Sequence, residues 1–181
     1  PVTSWSQAAF GTWHRWDALW YSSIAENGYQ YVGEREATNV GFFPLFALVN
    51  GVVRRDSGID APIGRHPVQR TKMTVVPESR GGKPAVTRYR ILETWAHCTL
   101  VECTLETGRT HQIRVHMASI GHPLLGDPVY GRHDPRLPAF HRQALHATRL
   151  GLVHPASGLP LQWEVPMPDD LGALVEGLRH V

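Results

Sequence analysis

Two arginines and two histidines lie within ten residues of each other in the segment 107-TGRTHQIRVH-116. Gly108 permits a tight turn, and the backbone N–H groups at the start of a following helix favour an anion. Arg114 falls one turn inside that helix, next to Ile113 and therefore near the buried face. A buried arginine requires a carboxylate or phosphate partner, because an unpaired charge is costly to bury. The segment therefore predicts an anion site that uses Arg109 and Arg114, with two ordinary surface arginines as the alternative.

The histidines and cysteines do not have the spacing of a metal site. His111 and His116 are five residues apart, about 140° around a helix, so they do not share a face. Cys98 and Cys103 lack the spacing of a zinc motif. Side chains five residues apart in a strand also point to opposite faces, which is unfavourable for a disulfide. We therefore expect no metal, and two reduced, buried thiols.

Two segments with the alternating pattern of β-strands precede the anion site. In the first, 86-VTRYRILE-93, the alternation places Thr87, Tyr89 and Ile91 on one face of the strand. It places Arg88 and Arg90 on the other face. The second, 99-TLVECTL-105, turns Val101 and Cys103 inward and Glu102 outward. The pattern predicts neighbouring antiparallel strands with one wet, basic face.

A helix is predicted after these strands, with Thr110 as its N-cap and Gly121 at its end. Its apolar residues recur at helical spacing: Ile113, Met117 and Ile120. Further strands are predicted around 147–153 and 161–165, and a closing helix after the pair 169-DD-170. The fold class is therefore α+β, a largely antiparallel mixed sheet with flanking helices.

Composition changes near residue 46 and divides the chain in two. The first 46 residues hold 11 of the 16 aromatic residues but only 2 of the 14 prolines. We interpret 1–46 as an aromatic-rich segment of separate character and 47–181 as the globular domain.

Charge is also uneven along the chain, since residues 54–115 hold 11 Lys and Arg against 6 Asp and Glu. This excess favours a surface that faces a polyanion, with an ordinary solvated surface as the alternative.

The chain has no predicted membrane span. The longest apolar run, 42-FFPLFALVNGVV-53, is shorter than the ~20 residues that a spanning helix needs. No secretory signal pattern stands at the beginning of the sequence. We expect a cytoplasmic monomer.

Several long motifs resemble the RluA/RluD-type pseudouridine synthases, in the order of that family. They occupy residues 58–75, 82–93, 105–131, 143–150 and 154–155, within about 47–181. The resemblance implies the C-terminal part of a pseudouridine synthase-like catalytic domain, and thus an incomplete one. It also implies isomerisation of uridine in structured RNA, most directly ribosomal RNA, without a metal or an organic cofactor.

The resemblance also implies roles for particular residues. Arg114 would pair with the catalytic aspartate, and Asp17 in 14-HRWD-17 is the candidate for that aspartate. Phe46 would occupy the position of the tyrosine that stacks on the uracil. The residues expected to bind RNA are Arg65, His66, Arg70, Lys72, Arg88, Arg90, Arg109 and His111.

The segment around Asp17 departs from the family pattern. Trp16 replaces the leucine of His-Arg-Leu-Asp, and the Thr-Ser-Gly that normally follows is absent. The stretches 16–29 and 42–46 resemble instead a lumenal loop of PIG-V-type mannosyltransferases. Three hypotheses therefore stand: a pseudouridine synthase that uses Asp17, a non-catalytic RNA-binding remnant, and a mosaic that carries a glycosyltransferase fragment.

Overall fold

The computed structural model of the protein describes residues 44–154 and 157–180. The predictions for Asp17 and for the aromatic-rich segment up to residue 43 lie outside the described residues. Strands and helices are numbered along the chain.

A five-stranded antiparallel sheet forms the centre of the fold. Across the sheet its strands are β2 (Ser57–Asp60), β5 (Val86–Thr94), β6 (Cys98–Leu105), β1 (Pro44–Asn50) and β7 (Leu145–Ala147). Two hairpins lie outside this sheet: β3 (Ile63–Arg65) with β4 (Met73–Val75), and β8 (Arg149–Val153) with β9 (Pro160–Glu164). The helical elements of the described ranges are a 3-10 turn at Glu78–Arg80, α1 (Gln112–Ser119) and α2 (Asp169–Arg179). The predicted α+β class is confirmed.

The sheet has a core on each face. On one face, Ala47, Val49 and Val101 pack against Ile113 and Met117 of α1. On the other face, the sheet packs against the predicted closing helix, α2: Leu48, Cys98 and Leu100 contact Leu171, Leu174 and Leu178. We call these the α1 face and the α2 face.

The strand prediction is confirmed for β5 and β6, which pair with Tyr89 opposite Cys103 and Arg90 opposite Glu102. The predicted wet outer face is wrong for the first half of β6. Cys98 and Leu100 on that face are buried because α2 returns to cover it. Two-residue alternation therefore identifies the faces of a strand but does not reveal which of them a distant helix covers.

The two cysteines are buried on opposite faces, as predicted. Cys98 lies on the α2 face and Cys103 on the α1 face, and both are free thiols. Burial raises the pKa of Cys98 to about 11 and that of Cys103 to about 12. Neither thiol is a reactive nucleophile at neutral pH.

A buried histidine connects α1 to the sheet. His116 is fully buried, and its Nε2 lies 2.8 Å from the carbonyl oxygen of Ala61. Since that oxygen can only accept, Nε2 carries the proton, and Nδ1 accepts from the Thr87 hydroxyl at 2.8 Å. Burial lowers the pKa of His116, although the Ala61 hydrogen bond and the charge of Asp60 oppose this shift. Burial therefore favours the neutral ring at neutral pH.

The neutral His116 predicts a loss of stability in mild acid. Its pKa is lower in the folded than in the unfolded chain, so this contribution is full above about pH 6.5 and declines as the pH falls below that value. Urea unfolding between about pH 7.5 and pH 5 measures it. His116→Gln keeps a neutral polar side chain and should flatten the decline. An unchanged pH dependence in that variant would contradict the assignment.

Candidate functional site

The turn before α1 is fixed by one buried amide side chain. Gln112 Oε1 accepts hydrogen bonds from the Arg109 N–H at 2.9 Å and the Thr107 hydroxyl at 2.8 Å. Gln112 Nε2 donates to the Val86 carbonyl and to the Thr87 hydroxyl on β5. The amide thus joins the turn 107–109 to the sheet. The turn therefore has a defined geometry, which fixes the backbone at Arg109 and at the start of the helix that carries Arg114.

The helix begins one residue later than predicted. The N-cap is His111, not Thr110, and its φ of 58° is left-handed. That conformation is uncommon for a residue other than glycine and is often found at functional sites. The His111 ring is held by Tyr130, whose hydroxyl lies 3.0 Å from Nδ1. Burial and the nearby Arg114 charge lower the pKa of His111.

Arg114 and Asp127 form a two-pronged ion pair at the centre of the site. Arg114 Nε lies 2.8 Å from Asp127 Oδ2, and Nη2 lies 2.8 Å from Oδ1. The Asp127 side chain is fully buried, and that of Arg114 is 11% exposed. Asp127 Oδ1 also accepts the N–H groups of Val129 and Tyr130. Burial alone would raise the pKa of Asp127. Arg114 and these two N–H donors outweigh burial and lower the pKa below its ordinary value, so the carboxylate stays ionised.

Tyr130 holds the guanidinium from a third side. The guanidinium carbon of Arg114 lies 5.0 Å from the centre of the Tyr130 ring, in cation–π contact. The Tyr130 hydroxyl accepts the N–H of Met73 on β4 at 2.9 Å. One tyrosine therefore connects α1, the 127–130 turn and the β3–β4 hairpin. Arg114 Nη1 has no hydrogen-bond partner among the described residues, which leaves one edge of the guanidinium for a further anion.

The sequence predicted a carboxylate or phosphate partner for Arg114, and the partner that the structure describes is the carboxylate of Asp127. The pairing of Arg114 with Asp17 stays a prediction. The segment 126-GDPVYG-131 did carry a signal for Asp127. Gly126 has a φ of 65°, and a Cβ at Gly131 would lie 2.2 Å from the Asp127 carbonyl oxygen. Two obligatory glycines around one aspartate indicate a tight turn that the side chain caps.

Six of the eight predicted RNA-binding residues lie on the side of α1, and one of them is His111 at the N-cap of that helix. Four of them belong to or adjoin the β3–β4 hairpin: Arg65, His66, Arg70 and Lys72. The base of this hairpin packs against α1, where Ile63 meets Val115. Arg109 is half-buried, and its Nε donates to the Pro84 carbonyl at 2.9 Å. Burial lowers the pKa of Arg109, but an arginine remains charged at any physiological pH.

Arg88 and Arg90 lie on the other side of the sheet. Thr87, between Val86 and Arg88, contacts α1 through His116 and Gln112, so its neighbour Arg88 points to the α2 face. Both arginines are exposed and ion-paired, Arg88 with Glu106 and Arg90 with Glu102. The structure therefore does not bring them together with Arg114. Their contact with RNA stays a prediction.

The predicted uracil-stacking position at Phe46 is wrong for a site that contains Arg114. Phe46 packs on the α2 face, with the cluster around Leu48. Its neighbour Leu45 packs against the core of the α1 face. Strand alternation causes this difference, because adjacent residues of β1 point to opposite faces.

The described ranges lack two further features, a cluster of metal ligands and a membrane-spanning helix. In them, no group of three or more His, Cys, Asp or Glu side chains could hold a metal ion. None of the helices in residues 44–154 and 157–180 is long and apolar enough to cross a bilayer.

Comparison with known proteins indicates the class to which this arrangement belongs. A family model described as RNA pseudouridylate synthase matches residues 46–119. Among solved structures, human RNA pseudouridylate synthase domain containing 1 superposes with a TM-score of 0.62 at 28% identity. That match covers 78% of this chain and 66% of the human one. The fold is therefore that of the pseudouridylate synthase domains.

Similar sequences among curated proteins give a more specific comparison than the fold does. Ribosomal large subunit pseudouridine synthase D of Nitrosomonas europaea is 56% identical over 144 residues, which are 75% of this chain and 40% of the relative. The protein of the same name from Escherichia coli K12 is 50% identical over 145 residues, 74% of this chain and 43% of the relative. The matches support the RluA/RluD-type pseudouridine synthase family. The chain spans about two fifths of the length of these relatives. The resemblance of residues 1–46, through the stretches 16–29 and 42–46, to PIG-V-type mannosyltransferases stays a prediction.

Proposed function

We propose that this chain binds structured RNA as part of an RNA pseudouridine synthase, and that its reaction, isomerisation of uridine to pseudouridine, is impaired. The observation that carries the proposal is the Arg114 site beside a basic hairpin, in a chain with relatives named ribosomal large subunit pseudouridine synthase D. Ribosomal RNA is accordingly the proposed substrate. A cytoplasmic monomer without metal or cofactor belongs to the same proposal.

The reaction requires three things of the protein. The uridine must leave its stack and enter a pocket, a carboxylate must act at the ribose, and the detached uracil must be held while it turns. In this proposal Asp17 is the candidate for that carboxylate, and the altered sequence around it makes the reaction weak. Arg114 is the positioning residue, because Asp127 and Tyr130 fix its guanidinium and leave Nη1 for an incoming anion. Arg109 and the hairpin cations bind the phosphates that flank the uridine.

One observation favours the second candidate, a non-catalytic RNA-binding remnant. Asp127 already occupies both Nε and Nη2 of Arg114 and balances its charge. Arg114 therefore does not need Asp17 for its own burial. The RNA-binding surface around Arg114 therefore does not depend on a correctly positioned catalytic carboxylate.

Salt sensitivity of RNA binding tests the part that both candidates share. With about five phosphate contacts, affinity for structured RNA should fall on the order of a hundredfold between about 50 mM and about 200 mM salt. Counterion release from the phosphates is the physical reason. Fluorescence anisotropy with a labelled fragment of bacterial large-subunit ribosomal RNA measures it. Affinity that does not change with salt would refute a phosphate-dominated surface.

A matched pair of arginine variants locates the surface. Arg109→Ala should weaken binding and reduce the salt dependence, since it removes one phosphate contact. Arg149→Ala is the control, because Arg149 is an exposed arginine that lines a cleft beside Phe46 on the α2 face. Equal losses in the two variants would mean that binding is not confined to the α1 face.

A further inference from the structure

The tip of the β3–β4 hairpin presents an isolated apolar side chain to solvent. Val68 is 81% exposed, more than any other large hydrophobic residue in the described ranges. A single exposed valine needs no explanation in itself. Three features provide one: the hydrogen bonds around Val68, the contacts of the hairpin base with the Arg114 site and the charge of the hairpin.

The tip has a defined shape that projects Val68 outward. His66 Nδ1 accepts the N–H groups of Val68 at 3.2 Å and of Gln69 at 3.0 Å. The His66 N–H donates to the Lys72 carbonyl at 2.9 Å, and the Lys72 N–H to the Gln69 carbonyl at 2.9 Å. Pro67 fixes one further backbone angle. The backbone of the tip is thus closed on itself, while the valine side chain is left outside.

The base of the hairpin is fastened to the Arg114 site. The Met73 N–H donates to the Tyr130 hydroxyl, and the Tyr130 ring lies against the Arg114 guanidinium. Ile63 is 1% exposed and packs in a cluster with Val115 of α1. The hairpin is therefore held in a defined position beside Arg114.

The charge of the hairpin identifies the class of ligand. Residues 63–75 contain Arg65, Arg70 and Lys72 and no acidic residue. Three cations around one apolar tip suit a polyanion that also offers apolar flat surfaces. Unstacked RNA has both, since phosphates line its backbone and its bases expose their faces.

We propose that Val68 is a wedge that enters the base stack of the bound RNA beside the target uridine. The inference rests on the proposed RNA binding and adds a residue that separates bases. Apolar side chains inserted between base steps unstack them in other nucleic-acid complexes. Here the flanking cations hold the phosphates, and Val68 keeps the neighbouring base from closing over the gap that a flipped uridine leaves.

The test uses two RNA stem–loops that each contain one uridine in the loop. In the first RNA, 2-aminopurine replaces the base on the 5′ side of this uridine. In the second RNA, it replaces the base on the 3′ side. The fluorescence of 2-aminopurine rises when its neighbours unstack, and anisotropy of the same samples reports binding. We expect the parent chain to bind and to raise the fluorescence of one of the two RNAs. Val68→Ser should keep most of the affinity but lose most of the rise, and Val68→Leu should keep both.

The outcomes separate this inference from the proposed function. Binding by the parent together with an equal rise in Val68→Ser would overturn the wedge and leave RNA binding intact. No binding by the parent would overturn the proposed function and the wedge with it. Loss of self-association in Val68→Ser, with parent-like fluorescence, would assign the tip to a protein contact instead. Val68 is exposed, so thermal unfolding of both variants should match the parent.

Discussion

Replacement of Arg114 by methionine should lower the free energy of unfolding by about 3–5 kcal/mol, the range for a buried ion pair that loses one partner. The variant leaves the fully buried Asp127 carboxylate with only two backbone N–H donors. Methionine keeps most of the volume of the arginine stem, so the loss reports charge rather than a cavity. Urea denaturation at neutral pH measures it.

The pH dependence of this loss has a defined sign. In the parent, the pKa of Asp127 is below its ordinary value, so its contribution is present above the unfolded pKa and is lost as the pH falls through the folded one. Without Arg114 the carboxyl pKa should rise. The variant then gains a proton more readily, and the difference from the parent should shrink in acid.

Two controls distinguish the ion pair from other causes. In a double-mutant cycle, Asp127→Leu should cost less in the Arg114→Met background than in the parent, because the pair is already broken. Arg88→Met removes an exposed arginine that pairs with Glu106 and should have little effect. A loss below about 0.5 kcal/mol for Arg114→Met is the behaviour of a surface residue and would contradict the assignment.

The secondary structure was largely predictable because the chain repeats its pattern within each element. The alternation at Thr87, Tyr89 and Ile91 and the helical spacing of Ile113 and Met117 both describe faces that the structure buries or half-buries. These periodicities reflect local geometry, so they need no information about distant parts of the chain.

The site was less predictable because its central contact is tertiary. Arg114 and Asp127 are 13 residues apart and belong to a helix and a turn. Charge and burial predicted that Arg114 needs a carboxylate or phosphate partner, but no periodicity links it to that turn. The same limit explains Arg88 and Arg90. The alternation placed them correctly on the face of β5 opposite Thr87, Tyr89 and Ile91, but it did not show that α1 and Arg114 lie on the other face.

Isomerisation by the 181-residue chain should be weak or absent. Reaction at the ribose needs a carboxylate placed accurately, since a displacement of about 1 Å can cost on the order of a hundredfold in rate. In the resembled family, a strand and turn after the aspartate provide that placement. Here 18-ALWYSSIAENGY-29 follows Asp17 with a different, aromatic pattern. Arg114, already neutralised by Asp127, does not compensate for it.

The most direct test is release of tritium from C5-labelled uridine in large-subunit ribosomal RNA. The parent chain, Asp17→Asn and the E. coli relative as a positive control are compared on the same RNA, at a salt concentration where the parent binds. We predict that the parent binds the RNA but releases little or no tritium, at or near the level of Asp17→Asn. Robust release by the parent and none by Asp17→Asn would contradict this account and identify Asp17 as the catalytic carboxylate.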